Sequence, residues 1–329
     1  MEEVLGQVRL KSDEPMDIYK VVAPEPAWEH RILPFLQHKG DPWLWQMKHA
    51  IAEGLDGATQ NFFVGMLDDG TLVGNITTIE AHERPIGLLQ HVFTPPEHRR
   101  KGICSHLMQA LCDDFRARGG RVMYLHTGHD SPPYHIYQSF GFVGHEDTGA
   151  MVWALDEDFR RDYFMPAPTT VHDTDWVDWV PLEALAWTGG GWQMRNFYLR
   201  RYGFGGFEYD YIRLRRDLEE GHLRSFKVLR TEAGTVAGYA TLSRYGHWPS
   251  RPLAVDMFVH PHFYGDTERL LRSIELPEDG PVLAFGDSGS RAKLEALSAV
   301  GFAQRGAIPG LMTSHKGQPL DFVIYVRGG

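Results

Sequence analysis

The chain is poor in cysteine: of 329 residues only Cys104 and Cys112 carry a thiol. Both fall on one helical stretch two turns apart and cannot bridge within it, so no disulfide framework exists. A reduced, cytoplasmic setting is the expectation that follows. Long apolar runs are missing too. No stretch approaches the length of a bilayer span, so no membrane partner is expected. The opening residues, Met1-Glu-Glu-Val-Leu, lack the basic start and apolar middle of a secretion signal. Positive charge is not in excess. A net charge of −10 argues against nucleic acid as the main partner, because phosphate contacts need a basic face. An acidic chain draws cationic small molecules or amines instead.

What remains is an ordinary globular composition, 43% hydrophobic and 23% charged, in a chain long enough for two domains. The stretch that organises it is 87–118. Residues 87–93 read as a strand, 94–98 as a loop, and Arg99-Arg-Lys-Gly-Ile-Cys104 as a basic glycine turn. An amphipathic helix follows, with Ile103, Leu107, Leu111 and Phe115 on one stripe, ending at Gly119-Gly120. Free N–H groups at the helix start, the positive end of its dipole and three adjacent cations make an anion site suited to a diphosphate.

This stretch resembles the GNAT superfamily of acyl-CoA-dependent N-acyltransferases. Its first signature is roughly V-x-P-E-x-[RQ]-x-x-G-x-[GA] between a strand and a helix. Thr94-Pro-Pro-Glu97-His-Arg99-Arg-Lys-Gly102-Ile-Cys104 lies on it, with Cys104 where Gly or Ala is usual. The second signature, roughly N-x-x-A-x-x-[LI]-Y-x-x-x-G-F, is met by Asp130, Pro133, Ile136, Tyr137, Gly141 and Phe142. Asp130 and Pro133 depart from it. Around these lie an opening strand (17–22), helices at 28–36 and 43–52, a hairpin of strands 61–67 and 72–79 turning at Asp68-Asp69-Gly70, and strands at 122–127 and 151–155. That order is the GNAT order. The resemblance implies an α/β (α+β) fold, a mixed, mostly antiparallel sheet flanked by helices.

After a linker at 156–170 a weaker echo follows: a strand at 176–180, helical stretches within 182–216, a hairpin at 226–242 turning on Gly234, strands at 253–259 and 282–285, Gly301-Phe302, and a last strand at 322–326. The chain therefore reads as a tandem duplication. Residues 1–160 form the acyl-CoA-binding catalytic domain. Residues 161–329 form a degenerate copy without a coenzyme A phosphate loop, since Asp266 stands where the diphosphate belongs and Leu297 where the tyrosine belongs.

The resemblance implies acetyl-CoA as cofactor, held by Val92, Phe93, Thr94, Arg99, Arg100, Lys101, Gly102, Ile103, Cys104, Asp130 and Tyr137. It implies direct transfer of the acetyl group to a primary amine of a small molecule, by a monomer or homodimer. Tyr137 is the expected acid for the departing thiolate. His91, one residue before Val92, is the expected base because an unperturbed imidazole titrates near neutrality. Gln90, Glu80 and Glu83 stand behind it, and Trp28, Trp43 and Trp45 are candidates for the acceptor pocket. His126 and His129 keep open a decarboxylase of malonyl or other acyl thioesters, and a non-catalytic acyl-CoA-binding module is the other alternative. No metal is expected, because the histidines lack accompanying ligands at metal spacing. Cys104 and Ser105 have no oriented base and are not nucleophile candidates.

Overall fold

A computed structural model describes residues 1–245 and 252–328. The chain divides into two compact units, one made of Met1–Phe159 with Asp175–Val180, the other of Arg160–Thr174 with Pro181–Gly329.

The first unit runs β1 (Glu2–Arg9), β2 (Pro15–Val22), α1 (Glu29–Phe35), α2 (Trp43–Glu53), β3 (Ala58–Leu67), β4 (Leu72–Ala81), β5 (Ile86–Phe93), α3 (Ile103–Ala117), β6 (Val122–His126), α4 (Pro132–Ser139), β7 (Val143–Gly144) and β8 (Ala150–Ala154). The strands lie in the order β1-β2-β3-β4-β5-β6-β8-β7. Every pair is antiparallel except β5 with β6. Both faces are covered, so β3 is buried without alternation from Gln60 to Gly65. Its Phe62 and Val64 join Trp28, Ile32, Met47 and Ile51 under α1 and α2. Phe63 points the other way, to Leu107, Leu111 and Phe115 of α3. Helix α3 stops where expected: Gly119 takes φ +73°, its N–H reaches Arg116 O, and the Gly120 N–H reaches Phe115 O at 2.9 Å, a Schellman pair.

After α5 (Phe159–Asp162), the second unit's sheet is built from β9 (Thr169–Asp173), with α6 (Trp179–Ala186), the short pair β10 (Met194–Asn196) and β11 (Arg201–Tyr202), and α7 (Glu208–Glu219) preceding β12 (Leu223–Thr231), β13 (Val236–Arg244), β14 (Leu253–Val259), α8 (Thr267–Arg272), β15 (Val282–Asp287), α9 (Arg291–Ala299), β16 (Ala303–Thr313) and β17 (Pro319–Arg327). Its order is β16-β17-β15-β14-β13-β12-β9. Read from β9 inward, it repeats the first sheet from β2 to β7 strand for strand, and its parallel pair, β14 with β15, falls at the same place. The equivalence reaches single bonds. Phe142 N–H donates to Tyr137 O and Phe302 N–H to Leu297 O, each after a glycine near φ +90°. Among the described residues, strand β1 has no counterpart in the second sheet.

Three readings change. Residues 176–180 are helical, not a strand: Asp175 and Asp178 form a capping box that starts a helix. The strand of that position in the repeat is β9, which begins inside the expected linker. Edge strands β1 and β16 are not among the expected elements; both are largely exposed, so no alternation of buried and exposed residues marks them.

Candidate functional site

The site begins at a defect in β5. Asn75 pairs with Phe93 and Thr77 with Gln90, so Ile76 alone opposes His91 and Val92, a bulge. His91 takes φ +51°, and its carbonyl accepts from Asn75 Nδ2 at 2.9 Å. On the other side, β5 pairs with β6 only from Ile86 to Leu88. Beyond Leu88 the two parallel strands part, and the end of β5 faces a gap.

The basic turn closes that gap. Arg100 at φ +63° and Gly102 at φ +91° swing the chain into α3, a conformation that glycine adopts at least cost. The His106 N–H is the first to close a helical bond, to Gly102 O at 3.1 Å. The N–H groups of Ile103, Cys104 and Ser105 have no carbonyl one turn back. A cleft of about 600 Å³ lies over them, lined by Val92, Phe93, Thr94, His98, Arg99, Arg100, Gly102, Ile103, Cys104 and Ser105, and on the far wall by Pro132, Pro133, Ile136 and Tyr137 of α4, with Lys11 joining from the β1–β2 turn. No carboxylate is among the lining residues. Helix-start amides, two arginines and a lysine with no competing anion suit a phosphorylated ligand.

Nine of the eleven residues expected at the cofactor line this cleft. Lys101 and Asp130 do not. The Lys101 ammonium is held by Glu14, Nζ to Oε2 at 2.8 Å, and this cation keeps the Glu14 carboxyl below its usual range. Asp130 is exposed and pairs with His135 at 3.1 Å. Its neighbour Ser131 caps α4 instead, accepting from the Tyr134 N–H. Tyr137 is 5% exposed, its ring 6.0 Å from that of Phe142. The Cys104 thiol is pushed up to about 11 by burial and stays protonated, consistent with a packing role.

His91 lies on the opposite face of β5 from the α3 core, its ring edge-on to Trp43 at 4.9 Å. Burial, reinforced by the positive charges of Lys39 and His38, pushes its pKa down to about 3. An imidazole so held is neutral but a feeble proton acceptor. Its Nε2 lacks a hydrogen-bond partner, as do both amide atoms of its neighbour Gln90 and, elsewhere in this unit, Gln46 Oε1 and Gln60 Nε2. Glu80 is committed to Arg118, Asn61 and Thr78. His129 lies 3.6 Å from Asp147, and His126 is exposed at the end of β6. Sequence reasoning missed Lys11. It lies far from the motif in the chain, and only its place in the β1–β2 turn brings it there.

Residues 25–142 match the family model described as acetyltransferase (GNAT) family. Among solved structures, the chain is similar to a GNAT superfamily phosphinothricin acetyltransferase from Sinorhizobium meliloti in complex with AcCoA, at 18% identity and TM-score 0.38, over 48% of this chain and 87% of that one. It is similar to an N-acetyltransferase from Staphylococcus aureus Mu50, at 14% identity and TM-score 0.38, over 49% and 99%. It is also similar to a ribosomal-protein-alanine N-acetyltransferase from Brucella melitensis, at 14% identity and TM-score 0.35, over 49% and 99%. No curated protein matches the chain.

Proposed function

We propose, from the premise that residues 25–142 are a GNAT acetyltransferase domain, that residues 1–160 transfer the acetyl group of acetyl-CoA to a primary amine of a small molecule, and that residues 161–329 are a degenerate copy that binds no coenzyme. The observation that carries this reading is the single cleft joining the helix-start amides of 102–105 to the Tyr137 side of α4. It can take a diphosphate at one end and a thioester at the other.

The coenzyme supplies an acetyl group activated as a thioester. Arg100 and the amides at the start of α3 hold its diphosphate. The end of β5 at Val92 and Phe93, unpaired toward β6, offers backbone groups to the extended pantetheine arm. An N–H there would stabilise negative charge developing on the thioester oxygen. Tyr137 would supply the proton that the departing thiolate needs and would regain one from solvent. A phenol of ordinary pKa near ~10 does this only when positioned against the sulfur. The amine's proton passes to water; the His91 ring, neutral and buried, is too weak an acceptor to serve as the base. Gln90, beside it, is the proposed contact for the acceptor.

The test is acetyl-CoA turnover with a panel of amines, read by free thiol release, for wild type and Tyr137→Phe. Thiol release should need both acetyl-CoA and an amine. The variant should lose roughly 10- to 100-fold in kcat with little change in Tm. Unaltered turnover at saturating acetyl-CoA would remove Tyr137 from the mechanism, and no amine-dependent release would remove the transferase reading.

A further inference from the structure

We propose that Lys11, delivered by the β1–β2 turn, binds the coenzyme diphosphate in the place that the motif's own Lys101 has left. The inference rests on the acetyl-CoA reading above and adds a residue outside both sequence signatures.

Three consecutive cations make the turn look strongly basic, yet Lys101 is withdrawn from the cleft and Arg99 is held in part by the loop. Arg99 Nε donates to Thr94 O at 3.1 Å and fixes the loop before the helix. Lys101 Nζ sits on Glu14 at 2.8 Å. Arg99 and Arg100 still line the cleft, but the lysine of that run does not. The contacts that withdraw Lys101 also bring Lys11 in. The Lys11 N–H donates to Lys101 O at 3.0 Å, and the β1–β2 turn is closed by Leu10 N–H to Glu14 O and Asp13 N–H to Leu10 O, both at 2.9 Å. Ser12 Oγ donates to the same Glu14 carboxylate at 2.5 Å. The phosphate turn and the β1–β2 turn are thus tied by one backbone bond and one ion pair.

Tied in this way, the Lys11 side chain lines the cleft. Its Cε lies 4.0 Å from where a Cβ on Gly102 would stand, beside the first free amides of α3. An ammonium on a flexible stem there is a point charge suited to a phosphate oxygen. Among the described residues, strand β1 is also the one strand of the first sheet that the second sheet does not repeat. The half of the chain with a coenzyme cleft carries the added hairpin, and the half without a basic turn does not.

Calorimetry on the full-length protein tests this with coenzyme A and dephospho-coenzyme A. The proteins compared are wild type, Lys11→Met, which keeps the apolar stem and deletes the charge, and Lys11→Arg. Lys11→Met should weaken both ligands by about tenfold, the range of a charge-assisted hydrogen bond. Both ligands keep the diphosphate, so the factor should be the same for each. Lys11→Arg should restore most of the affinity, which a mere loosening of the turn would not explain. Equal affinity of wild type and Lys11→Met overturns the inference. A loss confined to coenzyme A also overturns it, since that would put Lys11 on the 3′-phosphate. If wild type takes up neither ligand, the acetyl-CoA reading fails; uptake by wild type with an unaffected variant leaves that reading standing and removes Lys11 alone.

Discussion

The two sheets share strand order and the position of their parallel pair, and they differ where β5 and β14 end. Strand β5 is bulged at His91 and Val92 and leads into a basic turn and a 15-residue helix. Strand β14 keeps an unshifted register with β13 from Gly238↔Val259 to Leu253↔Arg244 and leads into a 3₁₀ turn and a six-residue helix. There Asp266 pairs with Arg269 at 2.6 Å and accepts from Thr169. The first unit spends its irregularity on an open cleft with positive charge on the rim. The second buries its charge. Asp256 on β14 accepts the N–H groups of Phe197 and Tyr198, and Asp287 accepts those of Gln193 and Met194. Lys293, fully buried, donates to Met194 O at 3.0 Å. A duplicated topology thus fixes neither a bulge nor a ligand site; both are set by a few residues after the central strand.

The largest effect that would sharpen this contrast is in the second unit. Lys293 lies within Coulombic reach of Asp256 and Asp287, and burial pushes its pKa down to about 8, against their pull upward. It remains mostly protonated at neutral pH. Lys293→Met leaves two buried carboxylates without their cation and should cost about 3–5 kcal/mol, read by urea denaturation of the full chain. A loss below about 1 kcal/mol would mean that the backbone donors alone satisfy Asp256 and Asp287, and the buried charge would cease to distinguish the two halves.

A smaller effect concerns pH. His91 in the first unit and His260 in the second are both held neutral by burial, with pKa values lowered to about 3 and about 4. Below pH 6.5 the unfolded chain takes up protons that these folded sites refuse, so stability falls as pH drops from about 6.5 toward 4. Replacing His91 by Gln should flatten that acid limb for the first unit by a few kcal/mol at most. His260→Gln, whose ring stacks on Phe164 at 4.3 Å, should flatten it for the second. Identical acid limbs in wild type and His91→Gln, compared by thermal unfolding at pH 4.5 and 7, would show that the His91 ring gains a proton without penalty. It would then return as a candidate base.

The central strand, the basic turn, α3 with its glycine stop, both hairpins and the Gly-Phe pairs were legible because each is a local pattern: an apolar period, a turn residue, a cap. The failures share a cause. Strands β1 and β16 are edges whose exposed residues follow no period. Residues 176–180 are apolar enough to suit a strand, and only the paired aspartates at 175 and 178 mark a helix start. At the site, nine of the positions expected at the cofactor line the cleft, eight read on the segment 92–104 and Tyr137 on the second signature. Lys101 is turned aside by Glu14 and Lys11 is brought in by β1, and both depend on contacts between segments about 90 residues apart in sequence. The state of His91 depends on its burial and on Lys39 and His38, which no spacing rule connects to it.

The smallest effect tests the one departure in the phosphate turn itself. Cys104 stands on the cleft wall at the second position of α3, half-buried, and packs against the core that holds Leu107 and Tyr137. Its sulfur narrows the approach to an amide that a diphosphate oxygen should reach, while its protonated thiol adds no charge. Cys104→Ala removes one atom, keeps the helix former and should tighten acetyl-CoA binding about two- to threefold, somewhat under 1 kcal/mol, with kcat unaltered because Tyr137 and the end of β5 are untouched. Cys104→Gly should gain less, since glycine costs about 1 kcal/mol in a helix relative to alanine. If both variants bind acetyl-CoA more weakly, the sulfur is a contact, not an obstruction, and the turn has been fitted to its ligand around a cysteine.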